Sequence, residues 1–209
     1  MSTTDLLRTH RLVPVVVIDD PGHADHLATA LADGGLPLAE VTFRTAAAAA
    51  AIGRMRDHGG VTVGAGTVLT AKQVDVAVDA GAEFVVSPGF SRAVVERCAE
   101  HGVLVVPGAG TPTEIMTALD AGLDLVKFFP AETSGGVPAV AALSAPFPQV
   151  SFVPTGGITG ATAADYLALP AVAAVGGSWM VPRDLVRDGD VEALTALVRA
   201  SVSAVSVSA

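Results

Sequence analysis

The sequence has little cysteine, few aromatic residues and little positive charge, and each shortage restricts what the protein can be. The single cysteine, Cys98, excludes an internal disulfide and is typical of a reducing compartment. Only 4% of the 209 residues are aromatic although 51% are hydrophobic, so the core must consist mainly of alanine, valine and leucine. A chain of this length has room for one domain with a sizeable core.

Positive charge is scarce, with 12 lysines and arginines against 21 acidic residues and a formal net charge of −9. Nucleic acids and anionic membrane surfaces repel such a chain, so we expect neither as a partner. The longest alanine run, Ala46–Ala51, is far below the roughly 20 apolar residues of a membrane span. The first residues, Met1–Asp5, lack the basic and apolar regions of a signal peptide, and we therefore expect a cytoplasmic protein.

What the sequence does contain is a repeated alternation of short apolar runs with alanine-rich helical stretches. The runs are almost continuously apolar, as in parallel strands that are covered on both faces. They predict eight strands, at Val13–Ile18, Leu38–Thr42, Thr62–Ala65, Phe84–Ser87, Leu104–Pro107, Leu125–Phe128, Phe152–Pro154 and Val172–Gly176.

Successive strands begin about 20–27 residues apart, the length of one βα unit. We therefore predict an α/β fold in which residues 1–209 form a single (β/α)8 TIM barrel, with a short N-terminal helix at Ser2–His10. The competing architecture, an open doubly wound sheet, usually has five or six strands and would have difficulty placing eight.

Helix boundaries are also legible. Thr70 and Thr111 are each followed three residues later by Gln73 or Glu114, which is the pattern of a capping box. Four glycines are predicted to end helices in the left-handed conformation: Gly34, Gly81, Gly102 and Gly122. The segment Ser201–Ala209 carries no turn signals and is predicted to fray.

Lys127 is the first candidate for chemistry, because active sites of such barrels lie at the carboxyl ends of the strands. Two of the 12 basic residues are lysines, and Lys72 lies in an ordinary helical turn. Strand alternation places Leu125 and Lys127 on one face and Val126 and Phe128 on the other. If Val126 and Phe128 face the helices, Lys127 points into the barrel.

Desolvation favours the neutral form of an amine, and a neutral amine is what attacks a carbonyl to form an imine. The alternative is a structural lysine whose ammonium pairs with a carboxylate at the barrel rim. The next candidates, Glu40 and Arg44, share one face at the end of the second strand. A guanidinium binds a carboxylate in bidentate fashion, and a glutamate beside an amine shuttles protons. A Glu40–Arg44 salt bridge that merely satisfies both charges is the alternative.

Glycine pairs follow the last two predicted strands, Gly156–Gly157 after the seventh and Gly176–Gly177, with Ser178, after the eighth. These two loops are the usual phosphate site of the barrel, where backbone N–H groups converge at a helix N-terminus. Ordinary turns also need glycine. The segment Gly64–Thr67 either brings the Thr67 hydroxyl or backbone amides near a substrate carboxylate or forms only a tight turn. We expect no metal site, because the histidines lie in predicted helices or at helix ends.

Six ordered segments closely resemble the family of 2-keto-3-deoxy-6-phosphogluconate (KDPG) aldolase, which includes 4-hydroxy-2-oxoglutarate aldolase. The resemblance spans essentially the whole chain, and the order and spacing of the segments make it specific. The segments are Glu40–Thr45, Gly64–Leu69, Ser87–Gly89, Lys127–Glu132, Pro154–Ile158 and Gly176–Trp179.

The resemblance implies a class I aldolase without metal or organic cofactor, in the Entner–Doudoroff pathway, that assembles as a homotrimer. It makes Lys127 the imine-forming lysine and Glu40 the proton shuttle, and it assigns the pyruvate carboxylate to Arg44 and Thr67. Contact with the substrate and its phosphate falls to Thr155, Gly156, Gly157, Gly177 and Ser178. The chain departs from the family pattern at Phe43, where a leucine is usual, and at Ala109, where a bulkier residue is usual.

Other functions remain open on the sequence alone. An epimerase or a synthase with a phosphate-binding barrel would use the same two glycine loops but would not need a lysine in the sixth strand. A non-catalytic sugar-phosphate binding protein would keep the whole pocket. A metal-dependent aldolase would need clustered histidine and carboxylate ligands at the barrel mouth, and the sequence offers none.

Overall fold

A computed structural model describes residues 3–206, in which strands and helices alternate along the chain. The strands are β1 (Leu12–Val16), β2 (Leu38–Thr42), β3 (Thr62–Gly66), β4 (Phe84–Val86), β5 (Leu104–Val106), β6 (Leu125–Phe128), β7 (Ser151–Pro154) and β8 (Val175–Gly177). The α-helices are α1 (Thr3–His10), α2 (Ala24–Asp33), α3 (Ala48–His58), α4 (Ala71–Ala80), α5 (Arg92–His101), α6 (Pro112–Asp120), α7 (Gly136–Ser144), α8 (Ala163–Leu167), α9 (Arg183–Asp188) and α10 (Val191–Ser206).

All ladders between these strands are parallel, and together they form a curled sheet. Six strands pair in the order β5-β4-β3-β2-β1-β8, and β6 pairs with β7. Single bridges join the two parts, between Gly108 and Lys127 on one side and between Thr155 and Gly176 on the other. The fold is therefore α/β with a parallel sheet, as the continuously apolar runs predict.

The two faces of the strands contribute to two apolar clusters. The inner cluster lies between the strands. It includes Leu7, the buried residue of the N-terminal helix α1. Its other buried members are Val13, Leu38, Phe84, Val86, Val106, Leu125, Val153 and Ala174. The larger outer cluster packs the strands against the helices and contains Val126 and Phe128. The predicted alternation in β6 is confirmed, because Leu125 belongs to the inner cluster whereas Val126 and Phe128 belong to the outer cluster.

The predicted strand bounds are confirmed for β2 and β6, and the largest error is at β8. The ladder of β8 with β1 begins at Val175 rather than at Val172. Val172 makes only an isolated bridge to Phe152, and its N–H donates to the carbonyl of Leu169 in a turn. An apolar run does not by itself distinguish the strand from the buried turn that precedes it.

The threonine N-caps are confirmed, since Thr70 accepts from the N–H of Gln73 and Thr111 from the N–H of Glu114. The reciprocal bonds of the capping boxes go one residue further, because the side chains of Gln73 and Glu114 accept from the N–H groups of Leu69 and Gly110. Left-handed glycines follow the helices at Gly81, Gly102 and Gly122. At Gly34 the prediction is wrong, because φ is −76° and the left-handed residue is the next glycine. Gly34 instead allows α10 to approach α2, since a Cβ there would lie 2.5 Å from Cγ1 of Val198.

The predicted fraying of Ser201–Ala209 is wrong as far as the structure describes it. Helix α10 continues to Ser206, and both Ser201 and Val205 are buried. Burial of one helix face against α2 and α8 stabilises a segment whose sequence carries few helix signals. Residues 207–209, like Ser2 at the other end, lie outside the described residues. In the described part of the chain, no helix has the length and hydropathy that a membrane span requires.

Candidate active site

The amine of Lys127 and the carboxylate of Glu40 meet inside the curled sheet. Lys127 Nζ donates a hydrogen bond to Glu40 Oε1 at 3.1 Å. The two residues are only 5% and 3% exposed, so this ion pair is almost completely shielded from solvent. Burying two charges is costly unless each has a partner, and here each supplies the partner of the other. The pair lies below the rim rather than on it, and a carboxylate at this distance can take a proton from the amine.

Glu40 owes its position to a glycine on the neighbouring strand. In the register of β2 with β3, Glu40 lies opposite Gly64 and Thr42 opposite Gly66. A Cβ built on Gly66 would lie 2.2 Å from Glu40 Oε1 and 2.6 Å from its Cγ. The carboxylate therefore occupies the space that any side chain at position 66 would fill, which fixes its direction toward Lys127.

A cavity of about 330 Å³ opens at the carboxyl ends of the strands above this pair. Val15, the register partner of Glu40, lines it. So does Phe129, whose ring centroid lies 5.3 Å from Lys127 Nζ. The other lining residues are Val17, Arg44, Thr155, Gly156, Gly157, Ile158, Gly177 and Ser178. Six predicted site residues thus line one cavity, whereas Lys127 and Glu40 line a smaller pocket among residues of the inner apolar cluster.

Arg44 supplies the cavity with positive charge. Its side chain is exposed, and no hydrogen bond or ion pair with another of the residues 3–206 engages it. The alternative of a Glu40–Arg44 salt bridge is therefore wrong, because Glu40 pairs with Lys127 instead. Arg183, in α9 after β8, forms a salt bridge with Asp19 at 2.5 Å. The hydrogen bond from Arg183 holds the pKa of the Asp19 carboxyl below its usual value.

The two glycine loops lie side by side in the cavity wall. Gly156 and Gly157 both have left-handed backbones, with φ of +103° and +80°, which glycine adopts without strain. Gly176 makes room for the buried Thr155, since a Cβ at 176 would lie 2.3 Å from Thr155 Oγ1. Ser178 is exposed to the cavity.

Neither glycine loop continues directly into an α-helix. The next helix after β7 begins at Ala163, and the next α-helix after β8 begins at Arg183. A turn closed by the N–H of Val181 and the carbonyl of Ser178 follows β8 instead. Any anion held here must therefore rely on loop amides, the Ser178 hydroxyl and the charge of Arg44 rather than on a helix dipole.

Among residues 3–206, Thr67 lines neither the cavity nor the smaller pocket around the Lys127–Glu40 pair. It is half-buried and follows Gly66. Its φ of +57° is unusual for a β-branched residue and costs on the order of 1–3 kcal/mol. Residues 64–66 belong to β3 and form no tight turn, and the strain at Thr67 marks a position that the surrounding structure holds in place.

Sequence reasoning missed four apolar residues of the cavity wall: Val15, Val17, Phe129 and Ile158. Strand alternation in the sequence could have identified three of them. Val15 and Val17 share the parity of Val13, which lies in the inner cluster, and Phe129 shares the parity of Lys127. Phe128, by contrast, packs in the outer cluster as predicted. Within residues 3–206, no group of three or more histidine, cysteine or acidic side chains is arranged to hold a metal ion.

Comparison with known proteins agrees with this geometry. The model of a family described as KDPG and KHG aldolase matches residues 3–197. The chain belongs to this aldolase family. A 2-dehydro-3-deoxy-phosphogluconate aldolase of Treponema pallidum is 48% identical over 204 residues, which are 97% of each chain.

Two solved structures of relatives carry ligands that bear on the cavity. The KDPG aldolase of Zymomonas mobilis with 3-phosphoglycerate superposes with a TM-score of 0.91 at 43% identity, covering 96% of this chain and 95% of that one. The KDPG aldolase of Legionella pneumophila, with pyruvate captured as a covalent carbinolamine, has a TM-score of 0.91 at 38% identity, covering 96% and 98%. The KDPG and KHG aldolase family thus includes a member in which pyruvate is bound covalently.

Proposed function

We propose that this chain is a lyase that cleaves 2-keto-3-deoxy-6-phosphogluconate to pyruvate and glyceraldehyde 3-phosphate through a Schiff base on Lys127. The observation that carries the proposal is the buried Lys127–Glu40 pair at 3.1 Å, with the ring of Phe129 in the cavity wall 5.3 Å from Lys127 Nζ. Membership of the aldolase family and the pyruvate carbinolamine of the Legionella relative support it.

The reaction begins when the neutral form of the Lys127 amine attacks the C2 ketone. The carbinolamine hydroxyl takes a proton from solvent and leaves as water, and a protonated imine remains, with Glu40 still an ionised carboxylate. When the C3–C4 bond breaks, its electron pair moves into this cation and forms an enamine, while the C4 hydroxyl proton goes to Glu40 through a water. Glyceraldehyde 3-phosphate leaves, the enamine takes a proton at C3, and hydrolysis of the imine releases pyruvate. The imine is the electron sink, so the chemistry calls for no metal or organic cofactor.

The anionic ends of the substrate have separate partners in this proposal. Arg44 holds the pyruvate carboxylate by its planar fork, with Thr67 at the same end. Thr155 contacts the substrate, and the amides of Gly156, Gly157 and Gly177 with the Ser178 hydroxyl hold the phosphate. The support is that Arg44 and the glycine loops line one cavity and that the Zymomonas relative binds 3-phosphoglycerate, a molecule with both anionic groups.

A second substrate, 4-hydroxy-2-oxoglutarate, follows from the family description, which names both KDPG and KHG. Its cleavage to pyruvate and glyoxylate uses the same imine and the same proton transfers. It carries a carboxylate at C5 and no phosphate, so it engages Lys127, Glu40 and Arg44 but offers the glycine loops no phosphate to bind. The ratio of the two activities therefore measures what the glycine loops contribute.

The purified protein tests the proposal directly. We expect it to release pyruvate from 2-keto-3-deoxy-6-phosphogluconate and, with lower kcat/KM, from 4-hydroxy-2-oxoglutarate, both in the presence of a metal chelator. Epimerised or condensed products without pyruvate would point to the other classes of phosphate-binding barrel. Binding without turnover of either keto acid would point to a sugar-phosphate binding protein.

Ser178→Ala should reduce the preference for the phosphorylated substrate. Because Ser178 is exposed, water replaces its hydroxyl in part, and we expect a loss of about 1 kcal/mol, roughly fivefold in the ratio of the two kcat/KM values. The measurement is that ratio in the wild type, in Ser178→Ala and in Ser203→Ala, an exposed serine of α10 that serves as the control. An unchanged ratio in Ser178→Ala would remove this hydroxyl from the phosphate site.

The proposal extends to the architecture of the whole chain. Residues 1–209 form one domain, a (β/α)8 barrel with a short N-terminal helix, and the bridges from Gly108 to Lys127 and from Thr155 to Gly176 support its closure. We propose that the protein is a homotrimer. Sedimentation equilibrium should then give a mass three times that of the 20.9 kDa chain. A cytoplasmic location is part of the same proposal and is supported by the single, buried cysteine.

A further inference from the structure

The loop of Gly156 and Gly157 is braced by two residues that the sequence analysis did not identify. Tyr166, the single tyrosine of the chain, lies in α8 and is only 1% exposed. Its hydroxyl donates a 2.8 Å hydrogen bond to Oε1 of Glu132. Glu132 opens the short 3₁₀ helix Glu132–Ser134 after β6. The hydrogen bond therefore ties the segment after β6 to the helix that follows the glycine loop.

Glu132 also touches the loop itself, by its backbone and by its side chain. Its N–H donates to the carbonyl of Gly156 at 3.1 Å. A Cβ built on Gly157 would lie 2.8 Å from both Cβ and Cγ of Glu132, so these two carbons rest against the glycine. Tyr166 holds the far end of the same side chain. Glu132 thus contacts both glycines of the loop and is itself held by Tyr166.

Such a brace matters because of the conformational freedom of glycine. Two consecutive left-handed glycines have many alternative conformations of similar energy, in which their amides point in other directions. An anion bound by amides must bear the entropic cost of ordering them unless the protein has already done so. Burial, with the hydrogen bond to Glu132, raises the pKa of the Tyr166 hydroxyl, so this group stays a donor at physiological pH.

We propose that Tyr166 and Glu132 are positioning residues that set the preference of the site for a phosphorylated substrate. The inference rests on the proposed function, in which the amides of Gly156 and Gly157 bind the phosphate, and it identifies the residues that order these amides. Neither residue lines the cavity among residues 3–206, so both act through Gly156 and Gly157. Loss of the brace affects the step that depends on the phosphate and leaves imine formation at Lys127 unchanged, because β2 and β6 hold the Lys127–Glu40 pair.

Tyr166→Phe removes only the hydroxyl and keeps the buried ring. We expect kcat/KM for the phosphorylated substrate to fall about 3- to 10-fold through KM, while kcat/KM for 4-hydroxy-2-oxoglutarate stays within about twofold. Glu132→Ala, which removes both the acceptor and the packing against Gly157, should have the larger effect. Glu132→Gln keeps an acceptor oxygen and the side-chain carbons, so it should retain the preference. Thr133→Ala, an exposed neighbour in the same 3₁₀ helix, is the matched control.

Borohydride trapping with pyruvate is measured on every variant. Trapping equal to wild type, together with a lower phosphate preference in Tyr166→Phe and Glu132→Ala, supports the inference. An unchanged preference in both, or an equal loss for the two substrates, overturns it. Should Tyr166→Phe not fold, Glu132→Ala decides, because Glu132 is exposed. A wild type that traps no pyruvate contradicts the proposed function instead, which is a separate result.

Discussion

Glu40→Gln should retain imine formation with pyruvate and lose about 10²- to 10⁴-fold of the cleavage rate. Glutamine has the shape of glutamate and keeps an oxygen that accepts from Lys127, at the position where Oε1 now lies 3.1 Å away. It cannot, however, take the proton that the C4 hydroxyl must lose. The amine therefore stays in place while the bond-breaking step loses its base.

The measurement is kcat for cleavage beside the rate of pyruvate trapping in the same preparation. Glu96→Gln, at an exposed position of α5, makes the same chemical change away from the cavity and should leave both rates unchanged. Cleavage by Glu40→Gln within about threefold of wild type would make the Lys127–Glu40 pair a structural ion pair. Loss of trapping as well would instead show that Glu40 is needed to prepare the amine.

Gly66→Ala should reduce cleavage by about 10²-fold, although position 66 carries no functional group. The added Cβ would lie 2.2 Å from Glu40 Oε1, so the carboxylate must turn away from Lys127. A displacement of about 1 Å in a catalytic group is enough for a loss of this size. Gly66 lies in β3, where an alanine fits the backbone, so the expected damage is to the side chain of Glu40 and not to the strand.

Gly53→Ala is the matched control, because a Cβ at Gly53 in α3 would have its nearest neighbour at an ordinary 3.8 Å. Thermal unfolding of both variants establishes that they are folded. Wild-type cleavage by a folded Gly66→Ala protein would mean that Glu40 has another productive orientation. The assignment of Gly66 as the residue that directs the carboxylate would then be withdrawn.

The pattern of alternation within each strand carried most of what could be predicted about the site. A period of two placed Lys127 inside, and the same rule joined Glu40 to Arg44 on one face of the second strand. These predictions succeed because a parallel strand buried on both sides allows little choice of orientation. The same alternation places Val15 and Phe129 on the inner face, although an apolar side chain gives no sign by itself that it lines a site.

Contacts between segments far apart in sequence could not be predicted. That Gly66 accommodates Glu40, or that Tyr166 reaches Glu132, depends on strand register and on the path of loops, which local patterns do not specify. The path between each glycine loop and its next α-helix could not be predicted for the same reason, and the turns after β7 and β8 contain several residues before that helix. Fraying of the C-terminal segment was predicted from composition, and burial of Val205 stabilises the helix instead.

The measurement that tests the central claim most directly is reduction with borohydride in the presence of pyruvate, followed by mass mapping of the peptides. The chain has two lysines, so the site of the adduct is unambiguous: Lys127 is buried beside Glu40, and Lys72 is exposed in the first turn of α4. We expect the reduced pyruvyl adduct on Lys127 and its loss in Lys127→Arg. An adduct found only on Lys72, or no adduct at all, would contradict the Schiff-base mechanism.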